Sequence, residues 1–496
     1  MSAPRSLRGV IEADLARMAP VLGNRRSWWL CDALEAERRA GSAEPAPPLA
    51  PGPRVDLAIV GGGFTGLWTA WHALEANPGI RISILEADVV GGGASGRNGG
   101  FATGMWESIR ALERRFGTDG AVATALAAED APQAIAAWCE AHGVDAWVER
   151  AGTLLAETSA AQRGAFDGLA RRLGELGFGD RIVPLDAAEV QRRGGSPMLG
   201  AGYLVPGDVS IQPARLARGL RRVLLERGAQ IHEGTPVRRL LPGRPIVLEW
   251  EAGTGAGAVA ADQVVLGLNA WAAGWPGFGA RLVTWSSYVV ATAPMPERLS
   301  AIGYTGGEAI TDGRFTNHYW RTTRDGRIVF GGGGGRAGYG GRLGDWVTRD
   351  LGSVRLAVRG FRRLYPALRD VPLEDAWGGP IDIAPSHLPT FGTLPGGTVH
   401  FGHGYSGTGV GASYLGGRIL AALATGARDH PVLALPLVGA RERRFPPEPL
   451  RWLGARVIRE AIVAKEQRDD LGRPSPWPLR ALVRLPRWMG YELGPE

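Results

Sequence analysis

The chain has 496 residues, with 56 Lys or Arg against 49 Asp or Glu, so its formal net charge is +7. Its length allows two to four domains at about 100–200 residues each. The composition, with 45% hydrophobic and 21% charged residues, is typical of a globular protein and excludes collagen, coiled coil and wholly disordered chains. Two cysteines, Cys31 and Cys139, are too few for a disulfide framework or a four-thiolate metal site and fit a reducing compartment.

The first 54 residues read as a leader that ends in a Pro- and Ala-rich linker. Val55–Val60 is an almost continuous apolar run, as expected for a parallel strand buried on both faces. Helical composition over 65–76 and an alternating strand over 80–85 complete a βαβ unit.

The pattern changes farther along the chain, where an antiparallel insertion interrupts the buried-strand and helix alternation. The later predicted elements are Ala-rich helices up to about 145, an amphipathic helix over 212–228, the strands AQIHEG and TPVRRLL, a buried strand over 262–271, antiparallel strands between 282 and 335, Gly-rich buried strands over 376–427, and a helix from Pro449 to about Lys465.

No segment reaches the roughly 18 consecutive apolar residues of a membrane-spanning helix. The N-terminal stretch carries Glu12, Asp14 and Arg17 where a signal peptide needs an unbroken apolar region, so we expect a cytoplasmic protein. The basic balance admits an anionic substrate, nucleic acid or a membrane surface. No basic stripe with interleaved aromatics is present, so no nucleic-acid partner is expected.

A glycine-rich loop follows the first strand: Gly61-Gly62-Gly63-Phe64-Thr65-Gly66 matches G-x-G-x-x-G and opens a helix. Gly61 allows the tight turn, Gly63 lets the backbone approach a pyrophosphate, and Gly66 lets the helix pack closely on the strand. Glu86, twenty residues after Gly66, can accept hydrogen bonds from ribose hydroxyls. This loop alone leaves NAD and FAD both open.

Two further glycine-rich segments favour FAD. The segment over 91–100 follows the ribose-binding strand, and its small residues let the backbone lie against a flat ring system. The segment over 400–411 precedes a predicted helix whose N-terminus can face negative charge on a flavin. His400 and His403 within it lack the further ligands that zinc needs, so no metal is expected.

With these motifs the sequence resembles the FAD-dependent oxidoreductases of the D-amino-acid-oxidase-like superfamily, and it is most similar to the γ-glutamylputrescine oxidoreductase branch. The resemblance covers about residues 25–430. It rests on VGGGFTGLWTA (60–70), GGGASGRNGG (91–100), VPGDVSIQPARLARGL (205–220), YWRTTRDGRIVFGGG (319–333), WGGPIDIAPSHLP (377–389) and GHGYSGTGVG (402–411).

The resemblance implies an α/β fold (α+β overall), with a Rossmann-like FAD-binding domain assembled from discontinuous segments and an antiparallel-sheet substrate domain that covers the flavin. The expected boundaries are 1–54 for the leader and linker, 55–105, 190–280 and 376–428 for the FAD-binding domain, 106–189 and 281–375 for the substrate domain, and 429–496 for a helical tail.

The expected activity is oxidation of the C–N bond of a small amine or amino acid, with hydride transfer to flavin N5 and hydrolysis of the resulting imine. Oxygen or another electron acceptor would take the electrons. The expected FAD contacts are Gly61, Gly63, Phe64, Thr65, Gly66, Glu86, Ala87, Gly93, Ala94, Ser95, Arg97, Asn98, Gly99, Gly100, Val237, Asn269, Gly379, His403, Gly404, Tyr405, Ser406, Gly407 and Thr408.

Four residues are predicted to act on the substrate: Arg97, Tyr319, Arg321 and His387. Tyr319 and Arg321 are two apart and so share one face of a strand, from which Arg321 can hold a carboxylate or phosphonate, unless the two form a pair on a solvated face. His387 orients a group near the flavin or is structural. Further candidates from the cover sheet are Tyr288, His318 and Trp377.

Two departures from the family pattern refine the expectation. Some relatives bind flavin through a cysteine before the last glycine motif, and residues 377–392 contain none, so FAD is expected to be non-covalent. Some oxidases of the superfamily use a lysine near N5, and the only lysine here is Lys465, in the tail, which favours a dehydrogenase or a slow oxidase.

Several alternatives stay open. The scaffold also suits an FAD-dependent dehydrogenase of a 2-hydroxy acid, or a flavin-containing binding factor with a structural cofactor. The tail helix and its Trp- and Arg-rich continuation could contact a membrane surface or fold onto the core. Likewise, Trp28 and Trp29 could cap the substrate entrance or pack the leader onto the body.

Overall fold

The structure is a computed structural model that describes residues 6–22, 26–41, 46, 49, 54–253 and 255–492. Most of the predicted linker lies outside the described residues. The helices are α1 (Leu7–Val21), α2 (Trp28–Arg39), α3 (Phe64–Ala76), α4 (Ile109–Glu129), α5 (Ala131–Ala141), α6 (Asp167–Glu175), α7 (Ala187–Gly194), α8 (Pro213–Glu226), α9 (Pro296–Ile302), α10 (Asp345–Thr348), α11 (Leu351–Leu364), α12 (Gly409–Thr425), α13 (Leu450–Asp470) and α14 (Trp477–Trp488).

The strands form two large sheets and one small one. They are β1 (Arg54–Val60), β2 (Ile82–Leu85), β3 (Phe101–Ala102), β4 (Thr153–Ala156), β5 (Val183–Leu185), β6 (Gly202–Val205), β7 (Val209–Ser210), β8 (Gln230–His232), β9 (Val237–Leu241), β10 (Ile246–Ala252), β11 (Gly255–Leu266), β12 (Val283–Thr292), β13 (Ala309–Asp312), β14 (His318–Thr322), β15 (Ile328–Gly332), β16 (Leu373–Ile383), β17 (Thr390–Thr393) and β18 (Val399–His403).

The first sheet has a parallel centre in which β1 pairs with β2 on one side and with β11 on the other. Strands β8 and β18 extend it in parallel at the two sides. Apolar side chains of β1 are buried on both faces, Leu57 and Ile59 against α3 and α12, and Ala58 and Val60 against β10 and β11. The continuous apolar run of β1 follows from this double burial.

The second sheet runs in the order β16-β12-β15-β14-β13-β4-β6-β5, and all its pairs are antiparallel except β13 with β4. Helices α1 and α11 cover one of its faces. The predicted combination of a Rossmann-like domain with an antiparallel-sheet domain is therefore confirmed.

Two predicted domain boundaries differ from the observed pairing. Strand β16 begins before 376 and pairs along β12, so residues up to 383 belong to the second sheet. Strand β6 pairs with β4 in the second sheet, whereas the predicted boundaries place residues 190–280 in the FAD-binding domain. Both strands are apolar enough for either sheet, and only the pairing partner decides between them.

The predicted buried strand over 262–271 also ends earlier than expected. Strand β11 stops at Leu266, and a 3-10 turn runs over Asn269–Gly274. Asn269 has a φ of +47°, a left-handed conformation that a strand does not contain.

The leader is built into the body of the protein. Asp14 of α1 forms a buried ion pair with Arg362 of α11, with 2.8 Å between Oδ2 and Nε. Trp29 of α2 is fully buried against Trp147 and Trp377. Packing rather than capping is therefore the role of Trp29.

The tail forms a helical hairpin, α13 and α14, whose first helix extends five residues beyond the predicted end at Lys465. Among the described residues, no helix is long and apolar enough to cross a membrane.

Candidate active site

The glycine-rich loop after β1 has the geometry that its sequence predicts. Gly61 has a φ of +110°, and a Cβ there would lie 2.5 Å from the Gly267 carbonyl oxygen. A Cβ on Gly66 would overlap the Gly61 carbonyl oxygen, so the start of α3 can sit this close to β1 only because residue 66 is glycine. A Cβ on Gly63 would meet only the Ser95 hydroxyl, at 3.0 Å, and Gly63 faces a cavity.

Glu86 lies at the end of β2 beside this loop. One carboxylate oxygen accepts from the Gly62 amide at 2.7 Å, and the other accepts from the Asp88 amide at 2.9 Å. Burial raises the pKa of Glu86 to about 6, against the opposing effect of these two amides. The carboxylate therefore fixes the loop while its side chain also lines the cavity.

Two hydrogen bonds join the three glycine-rich segments. The Phe64 amide of the first donates to the Ser95 hydroxyl of the second at 2.9 Å. The Thr65 hydroxyl of the first donates to the Tyr405 hydroxyl of the third at 2.8 Å, across 340 positions of sequence. The segments therefore converge at the N-terminal end of α3, where unpaired amides and the helix dipole favour an anion.

One cavity of about 1470 Å³ connects these segments with the second sheet. Ordinary small-molecule pockets measure about 300–1,000 Å³, so the space accommodates a large cofactor together with a substrate. Of the predicted FAD contacts, the following line it: Gly61, Gly63, Phe64, Thr65, Glu86, Ala87, Gly93, Ala94, Ser95, Arg97, Asn98, Gly99, Val237, Asn269, Gly379, Tyr405, Ser406, Gly407 and Thr408.

Four predicted FAD contacts lie behind the cavity wall. Gly66 and Gly100 are packed too closely for any side chain, Gly100 against the Ile211 carbonyl. Gly404 has a φ of +82°, and its amide donates to the Asp382 carboxylate at 2.5 Å. The His403 ring is buried against Phe278, and burial lowers its pKa to about 3, so it is neutral. These four residues shape the wall rather than line the cavity.

Comparison with known proteins decides the family. Residues 56–423 match the family described as DAO, FAD dependent oxidoreductase. A probable oxidoreductase OrdL of Rhizobium meliloti is 31% identical over 390 residues, which cover 77% of this chain and 86% of that protein.

The chain belongs to the FAD-dependent oxidoreductases.

Two other matches agree with this assignment. The γ-glutamylputrescine oxidoreductase of Escherichia coli is 28% identical over 374 residues, covering 75% of this chain and 84% of that protein. The crystal structure of a glycine oxidase from Geobacillus kaustophilus superposes with a TM-score of 0.62 at 20% identity, covering 79% of this chain and 99% of that one. The resemblance predicted from the motifs is therefore confirmed, and the protein is an enzyme.

The residues of the flavoenzyme fit FAD. The open side of Gly63 and the first-turn amides of α3 suit the pyrophosphate, and the Glu86 carboxylate suits ribose hydroxyls. Beside the second glycine-rich segment, Gly99 leaves no room for a side chain, since a Cβ would lie 2.8 Å from the Tyr319 ring. The Tyr319 ring therefore packs directly against the Gly99 backbone, which places Tyr319 beside the second glycine-rich segment.

Tyr319 lies where the second glycine-rich segment meets the second sheet. Its hydroxyl is 2.8 Å from the Ser287 hydroxyl, and its ring packs edge-on against Phe101. Burial raises the pKa of Tyr319 to about 12, so the phenol stays neutral at ordinary pH. The structure places Tyr319 in the cavity wall, as the sequence predicts.

Arg321 is not in the cavity wall. It is fully buried, and its guanidinium donates to the carbonyl oxygens of Gly99, at 2.8 Å, and of Ile211. The Trp29 ring lies 5.0 Å from the guanidinium carbon. Tyr319 and Arg321 do share a face, but the leader and residues 99–100 cover the Arg321 end of it, so the predicted carboxylate clamp is wrong.

The other two predicted catalytic residues line the cavity. Arg97 donates to the carbonyl oxygens of Gly92 at 2.8 Å and Gly378 at 3.0 Å, so its guanidinium ties the second glycine-rich segment to β16. His387 has a φ of +54°, and burial lowers its pKa to about 4, which keeps the imidazole neutral. Its location agrees with either predicted role.

The additional cover-sheet candidates do not line the cavity. The Tyr288 hydroxyl donates to the Val347 carbonyl at 2.7 Å. His318 Nδ1 lies 3.0 Å from the Asp312 carboxylate, and the Trp377 indole donates to the Arg97 carbonyl at 2.8 Å. Each of them supports residues of the wall from behind.

Two acids near the cavity were not predicted as site residues. Asp382 is buried and accepts from the Gly404 amide and, at 3.1 Å, from the Asn269 amide group, and burial raises its pKa to about 7. Glu107 lines the cavity, and desolvation raises its pKa above the usual range of a carboxyl. Asp382 lies within the WGGPIDIAPSHLP motif, but no residue pattern around Glu107 indicates its position.

The C-terminal tail completes the cavity wall, which the sequence did not predict. Its contribution consists mainly of apolar side chains together with a few charged ones, and the lining residues from this part of the chain are Phe445, Pro446, Leu450, Arg451, Leu453, Gly454, Ala455, Val457, Ile458, Arg459, Ile462, Leu485, Pro486, Met489, Tyr491 and Glu492. Lys465 lies elsewhere and pairs with Asp469.

Proposed function

We propose that this flavoenzyme binds FAD non-covalently and oxidises the C–N bond of a small amine. Bound in the cavity, FAD would accept a hydride from the carbon that carries the nitrogen, and the imine released would hydrolyse to a carbonyl compound. Neither Cys31 nor Cys139 lines the cavity, which supports non-covalent binding.

The observation that carries the proposal is the uncharged wall around Tyr319. Phe101, Trp285, Ser287 and Asn317 share this wall with it. An amine that enters such a site loses its proton more easily, because desolvation disfavours the ammonium form. Hydride removal needs the neutral amine, so the wall supplies the protonation state that the reaction requires, and Tyr319 can hold the nitrogen through its hydroxyl.

The position of Arg321 bears on the substrate class. The Arg321 guanidinium donates to the backbone carbonyls of Gly99 and Ile211, so it does not form a bidentate pair with an α-carboxylate. Arg321 therefore does not select for an α-carboxylate, and we propose a small amine rather than an amino acid or a 2-hydroxy acid as the substrate. The γ-glutamylputrescine oxidoreductase relative is named for a compound whose putrescine amine lies on a carbon without a carboxylate, which supports this choice.

The position of Lys465 supports an acceptor other than oxygen. Its ammonium group pairs with Asp469 on α13, at 2.6 Å, and does not line the cavity. Among the described residues, no lysine therefore stabilises reduced oxygen beside the flavin. We expect reduced enzyme to be reoxidised slowly in air and rapidly by an artificial acceptor.

An anaerobic bleaching screen tests the proposal. Holoenzyme is mixed with primary amines, N-substituted amines, amino acids and 2-hydroxy acids, and the flavin band is followed. We expect bleaching by amines without an α-carboxylate. Bleaching by 2-hydroxy acids alone would establish the alternative dehydrogenase, and bleaching by none of these classes would support a structural cofactor.

A further inference from the structure

The hairpin of α13 and α14, with the residues that flank α14, carries most of the exposed large hydrophobic side chains that the structure describes. Among the described residues, fifteen large hydrophobic side chains are exposed, and nine of them lie between 450 and 489. They are Leu450, Leu453, Val457, Leu471, Trp477, Leu482, Leu485, Trp488 and Met489. This stretch follows the family-matched region, which ends at residue 423.

The same hairpin carries most of the net positive charge. Residues 450–489 contain nine Arg or Lys and four Asp or Glu, a net charge of +5 out of +7 for the whole chain. Helix α14 has three arginines and no acidic residue. Arg480 and Arg484 are exposed, and neither forms an ion pair with any described residue.

Helix α14 separates a buried face from an outer face. Val483 and Pro486 are buried. At 100° per residue, Trp477, Arg484 and Trp488 lie within about 40° of one another on the opposite side. The two indoles are 73% and 68% exposed. The outer face therefore presents an indole at each end with arginine between them, which is the pattern of a helix that lies in a membrane interface.

The hairpin is held firmly in this orientation. The Asp470 carboxylate pairs with Arg314 of the second sheet domain, and the Glu466 carboxylate accepts from the Thr316 amide at 3.1 Å. Arg459 donates to the Gly335 carbonyl at 2.8 Å. Val483 of α14 packs against Ala461 and Ile462 of α13, so α14 and its exposed indoles are held on the fixed helix.

The outer face adjoins the mouth of the flavin cavity. Leu450, Leu453, Val457 and Leu485 all line the cavity and are all exposed. The mouth is therefore rimmed by apolar side chains of both hairpin helices, and Leu485 at this rim is the neighbour of Arg484 in α14. A surface that covers α14 therefore meets the rim at Leu485.

We propose that the hairpin docks on an anionic lipid bilayer, with the indoles in the headgroup layer, the arginines on lipid phosphates and the cavity mouth toward the membrane. Apolar area and positive charge act together in such binding, and each arginine near an anionic surface adds about 1 kcal/mol, a factor of about five in partitioning. The proposal goes beyond the proposed amine oxidation and does not depend on it.

Vesicle flotation of the FAD-loaded full chain tests it. The vesicles contain phosphatidylcholine alone or with about one third phosphatidylglycerol, at low and at high salt. We expect binding to the anionic vesicles that weakens as salt rises. Arg480→Gln/Arg484→Gln should lower the partition coefficient about 30-fold, and Trp477→Ser/Trp488→Ser about tenfold or more.

Matched controls change the same number of exposed side chains outside the hairpin. Arg369→Gln/Arg428→Gln removes equal charge, and Leu126→Ser/Met198→Ser removes two exposed apolar groups. Both controls should bind like the unchanged protein, and every variant should keep its flavin absorbance. Absence of binding to anionic vesicles, or equal binding of hairpin and control variants, would overturn the proposal. Dimers that the tryptophan variant abolishes, without vesicle binding, would assign the face to a second copy instead.

Discussion

Glu86→Gln should weaken FAD binding and remove its pH dependence below neutrality. We expect ribose hydroxyls of FAD to donate to the Glu86 carboxylate, and a hydrogen bond to a charged acceptor is worth about 1.5–3 kcal/mol. Loss of about 2 kcal/mol corresponds to a Kd about 30-fold higher. The glutamine also offers only one oxygen to the Gly62 and Asp88 amides, which adds to the loss.

The pH dependence follows from the raised pKa of Glu86, about 6 in the protein without cofactor. If the ionised carboxylate accepts from ribose, as we expect, FAD binding favours the deprotonated form and lowers this raised pKa. Affinity is therefore full above pH 6 and falls as the pH drops through it, by roughly tenfold at one unit below. Glu86→Gln should show no such fall.

Titration of FAD into deflavinated protein, followed by flavin fluorescence between pH 5 and pH 8, measures both effects. Glu226→Gln, an exposed change on α8, is the matched control and should behave like the unchanged protein. An unaltered Kd for Glu86→Gln, or a fall at low pH that persists in that variant, would refute the role of this carboxylate.

Three further predictions concern the glycine-rich loop, the leader and the substrate wall. Gly66→Ala should lower the free energy of unfolding by about 3 kcal/mol or more, because its Cβ overlaps the backbone. Gly63→Ala should keep the melting temperature of the unchanged protein and bind FAD more weakly. A stable Gly66→Ala variant, or a Gly63→Ala variant that is unstable and binds FAD normally, would contradict this assignment. Asp14→Ala should lower the free energy of unfolding, measured by chemical denaturation, by about 3–5 kcal/mol, because the buried Arg362 guanidinium loses its carboxylate partner. An unchanged unfolding midpoint would refute this prediction. Tyr319→Phe should lower kcat/KM about tenfold through loss of one hydrogen bond to the amine, with an unchanged profile between pH 6 and pH 9; full activity would remove the hydroxyl from the mechanism.

The cofactor half of the site was predictable because local rules fix it. A buried strand, a glycine-rich turn and an acid at the end of the next strand define the Gly61–Gly66 loop and Glu86 without reference to the rest of the chain. The convergence of Ser95 and Tyr405 on this loop followed from the family resemblance and is now seen as direct hydrogen bonds.

The substrate half was harder, because its walls come from segments that meet only in three dimensions. Strand alternation correctly put Tyr319 and Arg321 on one face, but it could not show that Trp29 from the leader covers Arg321. For the same reason, the contribution of α13 to the cavity was not predicted, and β16 was predicted in the FAD-binding domain although it pairs with β12 of the second sheet.

We propose that three distant glycine-rich segments hold one FAD beside Tyr319 and that an amine is oxidised there. The anaerobic visible spectrum of the purified protein, before and after addition of an amine without an α-carboxylate, tests this directly. We expect one FAD per chain, released intact by denaturation, and loss of the flavin band on mixing. A colourless protein that FAD does not reconstitute, or a flavin band that no amine bleaches, would contradict it.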